Sequence, residues 1–153
     1  MATPQAARAR ERLRTALKPL GLHGAHEIAD RIGVWRGLGN RALNGRKINA
    51  SAFVQFCSAL GLDPFTGGPA PVRIVGPVLW WFFGAAVVLQ RIGHELSQRE
   101  AAKVVGINYM AIHRAERAEP IAIENYLAIC RWLDARPESF TANNDCDKRA
   151  EAA

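Results

Sequence analysis

The chain has little cysteine: three residues among 153, at Cys57, Cys130 and Cys146. The number is odd and the spacing matches no zinc or cluster motif, which excludes a disulfide framework and points to a reducing cytoplasm. Long apolar runs are also missing. The nearest, Ile74 to Leu89, includes Trp80, Trp81, Phe82 and Phe83 but stops at Gln90 and Arg91. A membrane span needs about 20 such residues, so this run predicts a buried helix. Met1 to Arg14 lacks the apolar region of a secretory leader. No Gly-rich phosphate loop, nucleophile elbow or metalloprotease motif occurs. His23 and His26 are three apart without a neighbouring cysteine or carboxylate pair, and His94 beside Glu95 is a lone pair. These absences predict no enzymatic activity, no cofactor and no metal.

Carboxylates are scarce in the first half. Residues 1–76 hold 11 Lys/Arg against 4 Asp/Glu, whereas residues 77–153 hold 9 against 10. The formal charge of +6 therefore belongs to the first half, and it favours a polyanionic partner.

A pattern present twice organises the rest. Gly33, Arg41, Gly45, Ile48, Cys57, Leu60 and Pro64 occupy the same slots as Gly106, Arg114, Ala118, Ile121, Cys130, Leu133 and Pro137, each pair 73 positions apart. An ungapped register of this length indicates duplication of a folded unit. The first unit is predicted as a basic helix from Ala6 to Leu20, a break at Gly21 and Gly24, and a helix from Glu27 to Ile32. A turn at Gly33-Val34 leads to a helix from Arg36 to Leu43, and a fourth helix, capped by Asn49, runs to Leu60. Residues 65–77 read as a Pro/Gly linker. The second unit opens with the apolar helix, Val78 to Glu95. Ser97 and Glu100 form a capping box before a helix ending at Val105, and Gly106 makes the turn. Asn108 caps a helix from Tyr109 to about Arg117, and a last helix spans Ala122 to Leu133. Thr141 to Ala153 is polar, without apolar periodicity, and is expected to be disordered.

Within this frame Ala29 and Ala102 are small where two helices cross, and Gly33 and Gly106 permit the turn between them. Ile112 and Ala115 face inward on the third helix of the second unit. Met110, His113, Arg114 and Arg117 occupy its outward face, with Tyr109 at the edge. An Arg so placed can pair with guanine in a major groove, a contact worth roughly 1–3 kcal/mol in discrimination. The matching positions of the first unit are Arg36, Gly37, Asn40 and Arg41, followed by Arg46 and Lys47, which suit phosphate. Glu116 and Glu119 make the second unit less welcoming to phosphate, and Glu116 and Arg117 read as surface charges. Trp35 stands where a capping residue is expected. Gly39 stands where an apolar residue is expected, and Gly37 and Gly39 each cost the helix about 1 kcal/mol relative to Ala.

The line Leu96-Ser97-Gln98-Arg99-Glu100-Ala101-Ala102-Lys103-Val104-Val105-Gly106-Ile107-Asn108 resembles the lambda-repressor-like (Xre/Cro) helix-turn-helix family. So do Ile28-Ala29, Gly33-Val34, Ala42-Leu43-Asn44-Gly45 and Ala59-Leu60-Gly61-Leu62-Asp63-Pro64 in the first unit. The resemblance implies two compact helical bundles whose third helices enter the major groove, with Gln98 gripping a phosphate and Asn108 opening the reading helix.

The sequence is thus expected to give an all-α protein with tandem lambda-repressor-like bundles at residues 6–64 and 78–140, a linker at 65–77 and a tail at 141–153. Its expected function is sequence-specific binding of double-stranded DNA in transcription regulation, as in small bacterial or phage-like regulators. The expected location is cytoplasmic and nucleoid-associated. Sites one DNA turn apart, roughly 34 Å, are within reach of a linker that extends to about 40 Å. The alternative keeps DNA on the first repeat. It makes the second a dimerisation or protein-partner module, antitoxin-like or a co-regulator, acting through Trp80, Trp81, Phe82 and Phe83.

Overall fold

In a computed structural model of the chain, residues 4–142 are described. Eight α-helices account for most of them: α1 Pro4–Leu17, α2 Gly21–Ile32, α3 Arg36–Leu43, α4 Ala50–Leu60, α5 Trp80–Gly93, α6 Gln98–Val105, α7 Tyr109–Glu116 and α8 Ile123–Trp132. Short 3-10 turns occur at Lys18–Leu20 and Pro137–Phe140. No strand forms among the described residues, and the protein is all-α. None of these helices is long and apolar enough to cross a membrane.

The register of the duplication survives in the helices. Advancing α3 by the repeat offset gives the limits of α7, and the starts of α4 and α8 correspond in the same way. Local chemistry explains the ends. Gly33 and Gly106 close α2 and α6 with φ of 77° and 83°, a conformation that costs glycine little. Asn49 accepts from the Ala52 amide, and Asn108 from the Met110 amide. Both halves of the Ser97–Glu100 capping box are made.

The first two helices depart from the sequence expectation. α1 stops at Leu17, Lys18–Leu20 makes a tight turn that admits Pro19, and α2 starts at Gly21. Gly24 lies inside α2, not at a break. α5 begins two residues later than expected, because Val78 pairs with Thr141 and Leu79 donates to the Phe140 carbonyl.

Gly39 is buried where α3 crosses α2, and a Cβ there would lie 2.6 Å from the Ala25 carbonyl oxygen. The expected defect in α3 is therefore a contact point. Gly84 plays the same part between α5 and α7, facing the carbonyl of Ala115.

One hydrophobic core runs through both repeats. Leu13, Leu17, Phe53 and Phe56 belong to the same buried cluster as Phe83, Ile112, Tyr126 and Ile129. α4 is buried on every face from Ala52 to Ala59, which places it inside the molecule. Cys57 and Cys130 are buried free thiols, and burial pushes the Cys130 thiol up to about 12.

Residues 65–77 do not hang free as a tether. The Phe65 carbonyl accepts from Arg12 at 2.9 Å, and the Arg73 amide donates to Ser58 at 2.9 Å. Buried Gln55 donates to both the Ile32 and Val75 carbonyls. The Phe65 ring lies under the guanidinium groups of Arg131 and Arg136. The Pro/Gly composition of this stretch hid the partners that the helices supply. At its far end the Gly76 amide donates to Ala142, and the Ala142 amide to Pro77. Thr141 and Ala142 are thus held in place, and the rest of the expected disordered tail, 143–153, lies outside the described residues.

Asp63 and Arg136 occupy equivalent slots of the two repeats and form a salt bridge of 3.2 Å. The bridge thus joins the two repeats through one shared slot. Burial works against the Asp63 charge. The Phe65 amide, the Arg136 guanidinium and the Thr66 amide outweigh it, holding the carboxyl below the usual range. Because the folded value lies below the unfolded one, this stabilisation is complete above the unfolded value, about 3.9. It is lost as the pH falls through the folded value. The stability gap between wild type and Asp63→Asn, read from urea midpoints, is expected to stay constant from pH 7 to about 5 and to narrow below about 4. A gap that narrows already at pH 6 would rule the bridge out as its source.

Candidate nucleic-acid interface

The outward face of α7 is more self-satisfied than its sequence suggests. Arg114 and Arg117 both lean on one carboxylate, Glu119, at 3.4 and 3.5 Å. Tyr109 lies beneath the Arg99 guanidinium, 4.7 Å from the ring centroid, and stacks on His113. Met110 is exposed, and Gln98 is half-buried at the start of α6. Asn108 is exposed but spends its side chain on the α7 cap.

Glu116 is not a surface charge. Its side chain is 7% exposed and receives three hydrogen bonds from Arg91, the shortest 2.8 Å. Arg91 also donates to the Leu96 carbonyl, so the pair welds α5 to α7. The sequence separation of these residues gave no sign of the pairing.

The first repeat is organised differently. Arg36 is held by Asp30 in a two-pronged bond of 2.7–3.2 Å, which keeps the Asp30 carboxyl below its usual range. Arg41 donates to the Lys47 carbonyl, and Asn40 accepts from Asn44. Arg31, Arg46 and Lys47 are exposed and have no ion-pair partner among the described residues.

Trp35 stands at the cap position of α3 without capping it, as the sequence indicated; its exposure was not foreseen. Its ring packs against Gly37, so closely that a Cβ there would push the indole away. The indole is nevertheless 73% exposed. Gly37, read as a cost to the helix, is what lets the ring lie down. The result is an exposed aromatic surface beside Arg36 and close in sequence to Arg31. The spacing Trp-x-Gly at a helix start was the available signal.

The apolar run of α5 divides. Phe83 is fully buried and Trp80 half-buried against Tyr126, while Trp81 and Phe82 are exposed together with Leu89 and Ile92.

No family model and no solved structure matches this chain. It is similar to the small ribosomal subunit protein uS2 of Staphylothermus marinus, with 31% identity over 137 residues. The similarity covers 82% of this chain and 56% of that protein, so the chain spans just over half the length of the curated relative it matches. This finding corrects the functional expectation. A sequence-specific regulator of transcription, with double-stranded DNA as its partner, is replaced by a likeness to a ribosomal component.

Proposed function

We propose that the chain is a non-catalytic RNA-binding protein of the small ribosomal subunit, holding ribosomal RNA on the basic surface of its first repeat. The single observation that carries this reading is the similarity to a small-subunit protein over most of the chain. The geometry supplies a means. Unpaired RNA bases stack on exposed aromatic rings, and cations nearby grip the backbone without reading sequence. Trp35 offers the ring, and Arg31, Arg46 and Lys47 offer the charge. On this reading the protein is cytoplasmic and resides on the ribosomal particle, not on the nucleoid.

The helical frame fits a role in positioning. The paired helices α2–α3 and α6–α7, each joined through a left-handed glycine, support reading residues 6–64 and 78–140 as two copies of one lambda-repressor-like bundle. Such a bundle is a rigid mount and does not by itself choose the polymer.

The test is binding of the full chain to fragments of small-subunit ribosomal RNA, followed by fluorescence anisotropy, with co-sedimentation on small subunits. Trp35→Ala is expected to weaken RNA binding by about tenfold, since stacking on one aromatic contributes ~1–3 kcal/mol. Its far-ultraviolet circular dichroism should match wild type. Equal affinity of mutant and wild type would remove Trp35 from the interface. Absence of both RNA binding and co-sedimentation would overturn the function.

A further inference from the structure

A cleft of about 580 Å³ opens where the two repeats meet, lined by α1, by the loop before α4 and by the loop before α8. Equivalent positions of the two repeats line it: Ile48 with Ile121, and Asn49 with Ala122. The two sides have diverged chemically. Asn49 caps α4, but its counterpart Ala122 has no side chain to do so, and α8 starts without a side-chain cap. Three cations line the same space: Arg10, Lys47 and Arg114, against one lining carboxylate, Glu124.

Two of these cations are incompletely used. The Arg10 Nε is buried and has no hydrogen-bond partner, an arrangement that is costly unless something accepts from it. The Lys47 ammonium has no ion-pair partner among the described residues. Arg114 is tethered on one side by Glu119 at 3.4 Å. Its counterpart Arg41 is spent on the Lys47 carbonyl. Arg10 and Lys47 come from the first repeat and Arg114 from the second, so cations are supplied by both repeats.

From this we infer that the cleft between the repeats is a binding site for a phosphate group, with Arg10, Lys47 and Arg114 as its ligands. An uncapped helix start adds amides suited to the same anion. The volume falls in the range of small-molecule sites, large enough for a phosphate carrying a nucleoside. The phosphate could come from a free nucleotide or from an RNA backbone; the chemistry of recognition is the same.

The test is calorimetric titration of the full chain at low salt with inorganic phosphate, a nucleoside 5′-monophosphate and a short single-stranded RNA. Wild type, Arg10→Gln, Lys47→Gln and Arg73→Gln are compared, Arg73 being an exposed cation away from the cleft. Wild type binds inorganic phosphate, and the first two variants weaken it by at least about tenfold, as expected for loss of a charge-assisted bond. Arg73→Gln leaves it unchanged. Tighter binding of the monophosphate than of phosphate, with RNA affinity equal in wild type and Arg10→Gln, identifies a nucleotide site. RNA affinity that falls with Arg10→Gln identifies a backbone site. No phosphate binding by wild type, or equal loss in all three variants, overturns the inference. Phosphate bound without any ribosomal RNA binding would leave this site standing and remove the function proposed above; the reverse result removes the site alone.

Discussion

Glu116→Ala is expected to destabilise the fold by about 3 kcal/mol, at the lower end of what breaking a buried ion pair costs. The reason is what remains behind. Arg91 is four-fifths covered, and its guanidinium would keep one protein partner, the Leu96 carbonyl, while losing three bonds to the carboxylate. Its partial exposure lets some water in, which sets the figure at the lower end. A second experiment separates the pair's net contribution from the cost of orphaning one member. The double variant Arg91→Met/Glu116→Leu replaces both charges by apolar groups of similar length and is expected to recover most of the loss. In thermal melts Glu116→Ala should fall by about 6–12 °C, taking ~2–4 °C per kcal/mol for a chain of this size. A fall of under about 2 °C would mean that Glu116 is solvated in solution. A double variant no better than the single one would mean that the charges themselves hold α5 on α7.

The second large effect runs against helix propensity. Alanine is the better helix former, so Gly39→Ala and Gly84→Ala should each gain about 1 kcal/mol by that measure alone. Both are expected to lose about 2–3 kcal/mol net, because the new methyl group would press on a backbone carbonyl of the crossing helix, Ala25 or Ala115. A side chain can rotate away, whereas a helix backbone must shift as a body. Gly93→Ala is the control: it ends α5 with nothing within 4 Å, and should be neutral or slightly stabilising. Denaturant midpoints of the three variants decide the matter. If Gly39→Ala and Gly84→Ala gain stability as Gly93→Ala does, the helix pairs are not in backbone contact at these points.

These variants mark where the sequence was legible. Caps and turns are written in neighbouring residues, so Asn49, Ser97-Glu100, Gly33 and Gly106 announced α4, α6 and the two turns. The limits of α3 were also read correctly, helped by the ungapped duplication. Crossings are not written locally. Gly39 read as a flaw in α3 because the Ala25 carbonyl that requires it lies on another helix. Arg36, Arg114 and Arg117 were assigned to nucleic acid although Asp30 and Glu119, within six residues of them, hold them; Glu116 read as surface charge because Arg91 stands on α5. Residues 65–77 read as a tether for the same reason, their hydrogen-bond partners being Arg12, Gln55 and Ser58. The functional error has a different origin. Helix-turn-helix geometry reports how two helices meet, and the nature of the polymer was supplied by the resemblance, not by residues that discriminate DNA from RNA. Trp35, an exposed ring beside cations, was judged only as a failed cap.

The bridge between Asp63 and Arg136 also bears on which halves can mate. A first repeat meeting another first repeat in the same manner would set carboxylate against carboxylate, and two second repeats would set guanidinium against guanidinium. Only the unlike combination brings opposite charges together at that spot, a preference that the covalent connection then makes effectively unimolecular. In the present chain an acid on one copy and a base on the other direct each half to its sibling and not to its twin on another molecule.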